Sequence, residues 1–111
     1  MKATMKLEPT KNLMEWIKAL DEVRKADWEG KGMTWRDYLP LTVTKGIKFV
    51  KIKDGGTSWG FVCMYDGDYQ GFPVKKGDLM KSSGKRPAKH ARGNIFDGTA
   101  RFSYYGPEYL I

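Results

Sequence analysis

The chain has 111 residues, of which 41% are hydrophobic and 14% aromatic, with 20 Lys and Arg against 13 Asp and Glu. This length predicts one domain, 1–111, burying roughly 65% of the surface that the unfolded chain exposes, and the aromatic content excludes disorder throughout. The net charge of +7 suits a polyanion such as nucleic acid, or an acidic protein surface.

Cys63 is the only cysteine, which excludes an internal disulfide and a zinc site built on several thiolates. The segment from Met1 to Lys11 is polar and has no signal-peptide core. No run approaches the roughly 18 apolar residues of a membrane span. These features predict a cytoplasmic protein without a membrane partner.

The first predicted element is an amphipathic helix over about 12–29. Asn12, followed by Glu15 three residues later, is a variant of the capping box, with Asn in place of Ser or Thr. Leu13, Trp16, Ile17, Leu20 and Val23 follow the spacing of one buried helical face. Lys18, Asp21, Glu22, Arg24 and Lys25 lie off that stripe, and Asp21 precedes Lys25 by one favourable helical step. Gly30 and Gly32 supply the stop. Met33 to Leu39 predicts one further turn, capped by Thr34, that offers Trp35, Tyr38 and Leu39 to the core before Pro40 ends it.

Beyond Pro40 the hydrophobic period changes to that of a β meander over about 41–105. Leu41 to Thr44 is β-prone, and Lys45-Gly46 reads as a turn. In Ile47 to Lys53, Ile47 and Phe49 share one face while Val50 and Ile52 take the other, which implies a bulge or a strand covered on both sides. Asp54-Gly55-Gly56 signals a hairpin turn. Ser58 to Tyr65 alternates with Trp59, Phe61, Cys63 and Tyr65 on one face, so Cys63 is expected to be buried and inert. After Asp66-Gly67-Asp68, Tyr69 to Val74 reads as one strand, which Pro73 assigns to a sheet edge or a strand end. Lys75 to Arg92 reads as a long basic loop. Asn94 to Phe96, an Asp97-Gly98 turn and Thr99 to Tyr105 then read as a closing hairpin. The predicted fold class is α+β: one N-terminal helix packed on a small curved antiparallel sheet, or on an SH3-like open barrel, of five to six short strands.

Catalytic signatures are weak. Gly56-Thr57-Ser58-Trp59-Gly60 matches the nucleophile-elbow pattern, but it sits at a hairpin turn entering a strand, whereas the elbow needs a strand-turn-helix. Gly84-Lys85 is followed by Arg86 where a phosphate loop has Ser or Thr. Asp54, Asp66 and Asp68 lie in turns without calcium-loop spacing. No enzymatic activity, cofactor or metal is expected.

The excess charge is concentrated. The segment from Lys75 to Arg92 holds seven Lys and Arg against the single acid Asp78, so six of the seven net positive charges belong to it. The predicted nucleic-acid-binding residues are Lys75, Lys76, Lys81, Lys85, Arg86, Lys89, His90 and Arg92. Their side chains would contact successive phosphates, and Ser82, Ser83 and Gly84 would let backbone N–H groups face an anion. Tyr65, Tyr69, Tyr104, Tyr105 and Tyr109 are candidates for stacking on unpaired bases. Lys45, Lys48, Lys51 and Lys53 form a second acid-free stretch; on a regular strand 45, 51 and 53 point to one side and 48 to the other.

Two functions follow. The first is a small non-enzymatic protein that grips the phosphate backbone of DNA or RNA through the basic segment. The second is a protein-binding module or inhibitor that docks on a host enzyme through aromatic and basic residues, with Trp28, Trp35 and Tyr109-Leu110-Ile111 as anchors. The short, compact style resembles bacteriophage accessory proteins, although no motif assigns a family.

Overall fold

A computed structural model describes residues 7–30, 32, 38–83, 86–103 and 106–107. Helix α1 runs Leu13–Gly30, followed by β1 (Thr42–Lys45), β2 (Phe49–Asp54), β3 (Thr57–Cys63), β4 (Gly67–Tyr69), β5 (Phe72–Val74), β6 (Asp78–Ser83), β7 (Arg86–Asn94), β8 (Phe102–Ser103) and β9 (Gly106–Pro107). The main sheet is antiparallel in the order β1-β2-β3-β6-β7, while β4-β5 and β8-β9 are separate two-stranded ribbons. This is the expected α+β arrangement of a helix on an antiparallel sheet. The sheet stays open, since β1 and β7 are its two ends, and its strands do not close into a barrel.

The helix start follows its sequence signal. Asn12 Oδ1 accepts the Glu15 N–H at 2.9 Å, and the Glu15 carboxylate reaches back to the Lys11 N–H at 3.3 Å. An orphaned first-turn donor, the Glu15 N–H, is thereby satisfied, and the chain entering the helix is tied down at Lys11. Leu13, Trp16, Ile17 and Leu20 are buried against Val50, Ile52, Trp59, Val62, Leu79, Ile95 and Phe102. Trp16 meets Phe102 edge-on, with ring centroids 5.5 Å apart.

Two side chains assigned to the solvent face of the helix are structural instead. Arg24 is 0% exposed, with Nη1 donating to the Tyr38 hydroxyl at 2.8 Å and Nη2 to Asp54 Oδ2 at 2.7 Å. Asp21 Oδ1 accepts from that same hydroxyl at 2.7 Å and from the Leu41 N–H at 2.9 Å. The network ties the second half of the helix to the end of β2 and to the segment entering β1. Helical periodicity could not reveal it, because the partners lie 14 to 30 residues away in the chain. Of the expected turn after the helix, 33–37 lies outside the described residues. Tyr38 joins the network, whereas Leu39 is 66% exposed rather than part of the core.

The irregular alternation of β2 has a clear cause: the strand is covered on both sides. Val50 and Ile52 face the helix, whereas Phe49 packs in a second cluster with Phe61, Cys63, Val74, Met80, Tyr65, Tyr69 and Ala91. A register shift places Ile52 opposite Gly60 and Lys53 opposite Ser58. Trp59 is the extra residue, and the bulge sends it to the helix side while Phe61 and Cys63 stay on the other. The expected shared face of Trp59, Phe61 and Cys63 is therefore split. Cys63 is buried as expected, and burial pushes its thiol pKa up.

The second cluster is roofed by the β4-β5 ribbon, which the sequence presents as one strand. Gln70 and Gly71 form its two-residue turn with φ of 50° and 85°, the double left-handed conformation that twists a tight hairpin correctly.

The largest correction concerns 75–92. This segment is mainly a strand pair, β6 and β7, rather than a long loop. Leu79 and Met80 are fully buried, and β6 pairs with β3 through Phe61↔Met80 and Val62↔Leu79. Register shifts between Asp78 and Met80 and between Met80 and Ser82 break the period of two on β7. Pro87 is tolerated because β7 ends the sheet order. The closing segment also differs. The turn over 95–98 returns the chain beside the end of β7, with the Arg101 N–H donating to Arg92 O at 2.8 Å. The paired strand is only Phe102–Ser103, against Gly106–Pro107.

Candidate nucleic-acid interface

The ribbon side of the sheet collects the candidate residues, but not as one basic loop. At the end of the β6–β7 pair lies an open depression of about 440 Å3 lined by Gln70, Ser83, Arg86, Pro87, Ala88 and His90. Its position follows from two contacts between ribbon and edge strand. The Tyr69 hydroxyl donates to Pro87 O at 2.7 Å, and the Phe72 ring meets His90 edge-on at 4.5 Å. Arg86 and His90, both exposed, line this hollow with Gln70 and Ser83, and no acid is among the lining residues; the Gln70 amide also donates to the Tyr69 hydroxyl at 3.4 Å. Such a set can donate several hydrogen bonds to one anion, with the guanidinium adding charge.

The other predicted residues divide. Lys75 is exposed and pairs with Asp97 at 3.6 Å, a contact worth little in water. Lys76 is exposed, and its backbone N–H donates to Asp66 Oδ1 at 3.0 Å. Lys81 is half-buried on the helix side, where Nζ reaches Pro107 O at 3.3 Å. Arg92 is only 7% exposed, its guanidinium donates to His90 O, and burial lowers its pKa. Lys81 and Arg92 are thus drawn into the structure rather than displayed. Lys85 lies outside the described residues, as does the side chain of Lys89.

A second cationic group lies on the same side of the sheet. Lys51 Nζ sits 6.0 Å from the centre of the Phe61 ring, and Lys48 Nζ sits 5.4 Å from that of Tyr65. Lys53, two residues beyond Lys51 on β2, shares its face. Lys45 pairs with Val50 and therefore belongs to the helix side. The regular-strand expectation, which grouped 45 with 51 and 53 and separated 48, is reversed for both ends because β1 and β2 are different strands joined by a turn.

Tyr65 and Tyr69 do not offer free stacking surfaces. They pack on Phe49 at 5.8 and 5.0 Å between ring centroids, and their hydroxyls donate to Asp68 O and Pro87 O. Tyr104, Tyr105 and Tyr109 lie outside the described residues, as do Trp35, Leu110 and Ile111; Trp28 is half-buried at the end of α1. Ser58 of the Gly56–Gly60 pattern lies on β3, with a buried Oγ that has no hydrogen-bond partner among the described residues, and the strand-turn-helix a nucleophile elbow requires is absent there.

No family model, curated protein or solved structure matches the chain. Among the described residues no helix is long and apolar enough to cross a membrane, and no cluster of His, Cys, Asp and Glu could hold a metal ion. Function must therefore be read from the chemistry of the depression and of the β2 lysines. The sequence singled out Arg86 and His90, and Ser83 for its backbone N–H, but missed Gln70 as a lining residue. The signal for Gln70 was its place before Gly71 between aromatic residues, a tight-hairpin pattern that brings the ribbon tip over the sheet.

Proposed function

We propose that this protein is a non-enzymatic nucleic-acid binder that grips the phosphate backbone. The observation that carries the reading is the acid-free depression lined by Arg86, His90, Gln70 and Ser83, residue types that can all donate to an anion. A backbone phosphate seated there would receive a guanidinium and neutral donors together, while Lys48, Lys51 and Lys53 attract the neighbouring backbone across the same side of the sheet. Contacts of this kind supply affinity and orientation and leave sequence choice weak. Each neutralised phosphate releases counterions, so affinity falls steeply with salt.

The test is fluorescence anisotropy with labelled single- and double-stranded oligonucleotides across a salt series. Arg86→Ala/His90→Ala should weaken binding and reduce the log–log salt slope by roughly 0.7 to 0.9 for each phosphate that is no longer neutralised. Arg92→Ala serves as the contrast: it should lower thermal stability and leave the slope unchanged, because its guanidinium is buried. Absence of wild-type binding at low salt would sink the reading and direct the search to an acidic protein partner.

A further inference from the structure

The β1–β2 turn carries a feature that phosphate binding does not use. Ile47 is 99% exposed. Scattered exposed apolar side chains are ordinary, and exposure alone would carry nothing. The setting of Ile47 is unusual in three respects. First, the turn is held: the Gly46 N–H donates to Phe49 O at 2.9 Å, and Lys48 O accepts the Met64 N–H at 2.8 Å. Second, lysines flank the tip on opposite sides of the sheet, Lys45 on the helix side by its pairing with Val50, and Lys48 on the ribbon side over Tyr65. Third, no Asp or Glu occurs from Leu41 to Lys53.

We propose that the tip is a wedge, with Ile47 entering between stacked bases while Lys45 and Lys48 engage the phosphates on either side. The proposal rests on the nucleic-acid reading and deepens it, since it names stacked duplex as the ligand of this turn. Apolar wedges of this size separate base steps in other architectural proteins, and the cost of unstacking is offset by burial of the side chain and by new backbone contacts. A β-branched side chain suits the role because its χ1 is already restricted, so little freedom is lost on insertion. Charge complementarity favours nucleic acid on both flanks, and a single apolar side chain fits one base step.

The experiment uses a short DNA duplex with one central 2-aminopurine, whose fluorescence rises when the base unstacks. It is titrated with the wild type, Ile47→Ala and Lys45→Ala/Lys48→Ala, and anisotropy is read in parallel. Wild-type binding should raise the fluorescence. Ile47→Ala should bind about tenfold more weakly, in line with the apolar area it no longer buries, and should give no rise. Its thermal midpoint should match the wild type, because Ile47 makes no buried contact. The lysine variant should weaken binding and lower the salt slope. Binding without a fluorescence rise, or an equal rise with Ile47→Ala, would overturn the wedge and leave the nucleic-acid reading standing. No anisotropy change with any oligonucleotide at low salt would overturn both. Ile47-dependent capture by phosphatidylserine vesicles in that case would assign the tip to a membrane surface instead.

Discussion

Arg24→Ala removes the centre of the network that joins the helix to the sheet. In the folded protein the guanidinium makes one hydrogen bond to Tyr38 and one to Asp54, at 2.8 and 2.7 Å, and is wholly buried. Breaking a fully buried ion pair costs about 3–5 kcal/mol, largely because one charge is stranded. Here the stranded partner is not fully buried: the Asp54 side chain is 41% exposed and can be rehydrated. Tyr38 also keeps its bond to Asp21. The expected cost therefore lies at the lower end, about 3 kcal/mol, including the packing of the aliphatic stem that is removed. For a domain of this size that lowers the midpoint of thermal unfolding by about 12 °C, at roughly 4 °C per kcal/mol. Arg24→Met keeps an apolar stem but removes the charge and both hydrogen bonds, so it should recover only the part of the loss that comes from packing. Urea unfolding followed by tryptophan fluorescence and circular dichroism measures both. Stability of Arg24→Ala within about 0.5 kcal/mol of wild type would refute the argument and show that the helix is held by its apolar stripe alone.

Two further perturbations test separate parts of the fold. Burial, and the hydrogen bond to Asp21, push the Tyr38 phenol well above its ordinary 10.0, and burial also raises Cys63 above 9.0. Raised pKa values mean that the folded state holds these protons more tightly, so their stabilisation is complete below pH 9 and is lost as the unfolded chain ionises above it. Tyr38→Phe should flatten the fall in stability above pH 10, although from a lower baseline; an unchanged alkaline slope would contradict the network. Gly93→Ala would drive a Cβ into Thr99 O at a φ of +89°. Neither strand nor turn can yield that far, so a loss of about 3 kcal/mol or more is expected, and a wild-type urea midpoint would show that the returning chain does not press on β7.

Several features were determined by local chemistry and could be read from the residues. The helix and its cap depend on contacts within one or two turns, and Asn12, Glu15 and the Leu13–Leu20 stripe announce them. The change of period after Pro40, the Asp54-Gly55-Gly56 turn and the burial of Cys63 are of the same kind. The basic character of 75–92 was equally plain, and with it Arg86 and His90 as candidate anion contacts.

Tertiary structure decided which of those charges face outward. Lys81 and Arg92 belong to the same basic run as Arg86, yet one reaches Pro107 and the other is buried against its own strand. The deciding events are register shifts: the bulge that turns Trp59 toward the helix, and the two shifts that disguise β7 as a loop. A shift of one residue reverses which side every later side chain faces, and it depends on which strands pair. Pairing is a long-range choice made by the whole core, so a local pattern marks a residue as basic or apolar without assigning it to a face. The depression of Gln70, Ser83, Arg86 and His90 exists only because the ribbon folds back over β7, and that contact joins residues separated by 18 positions in the chain.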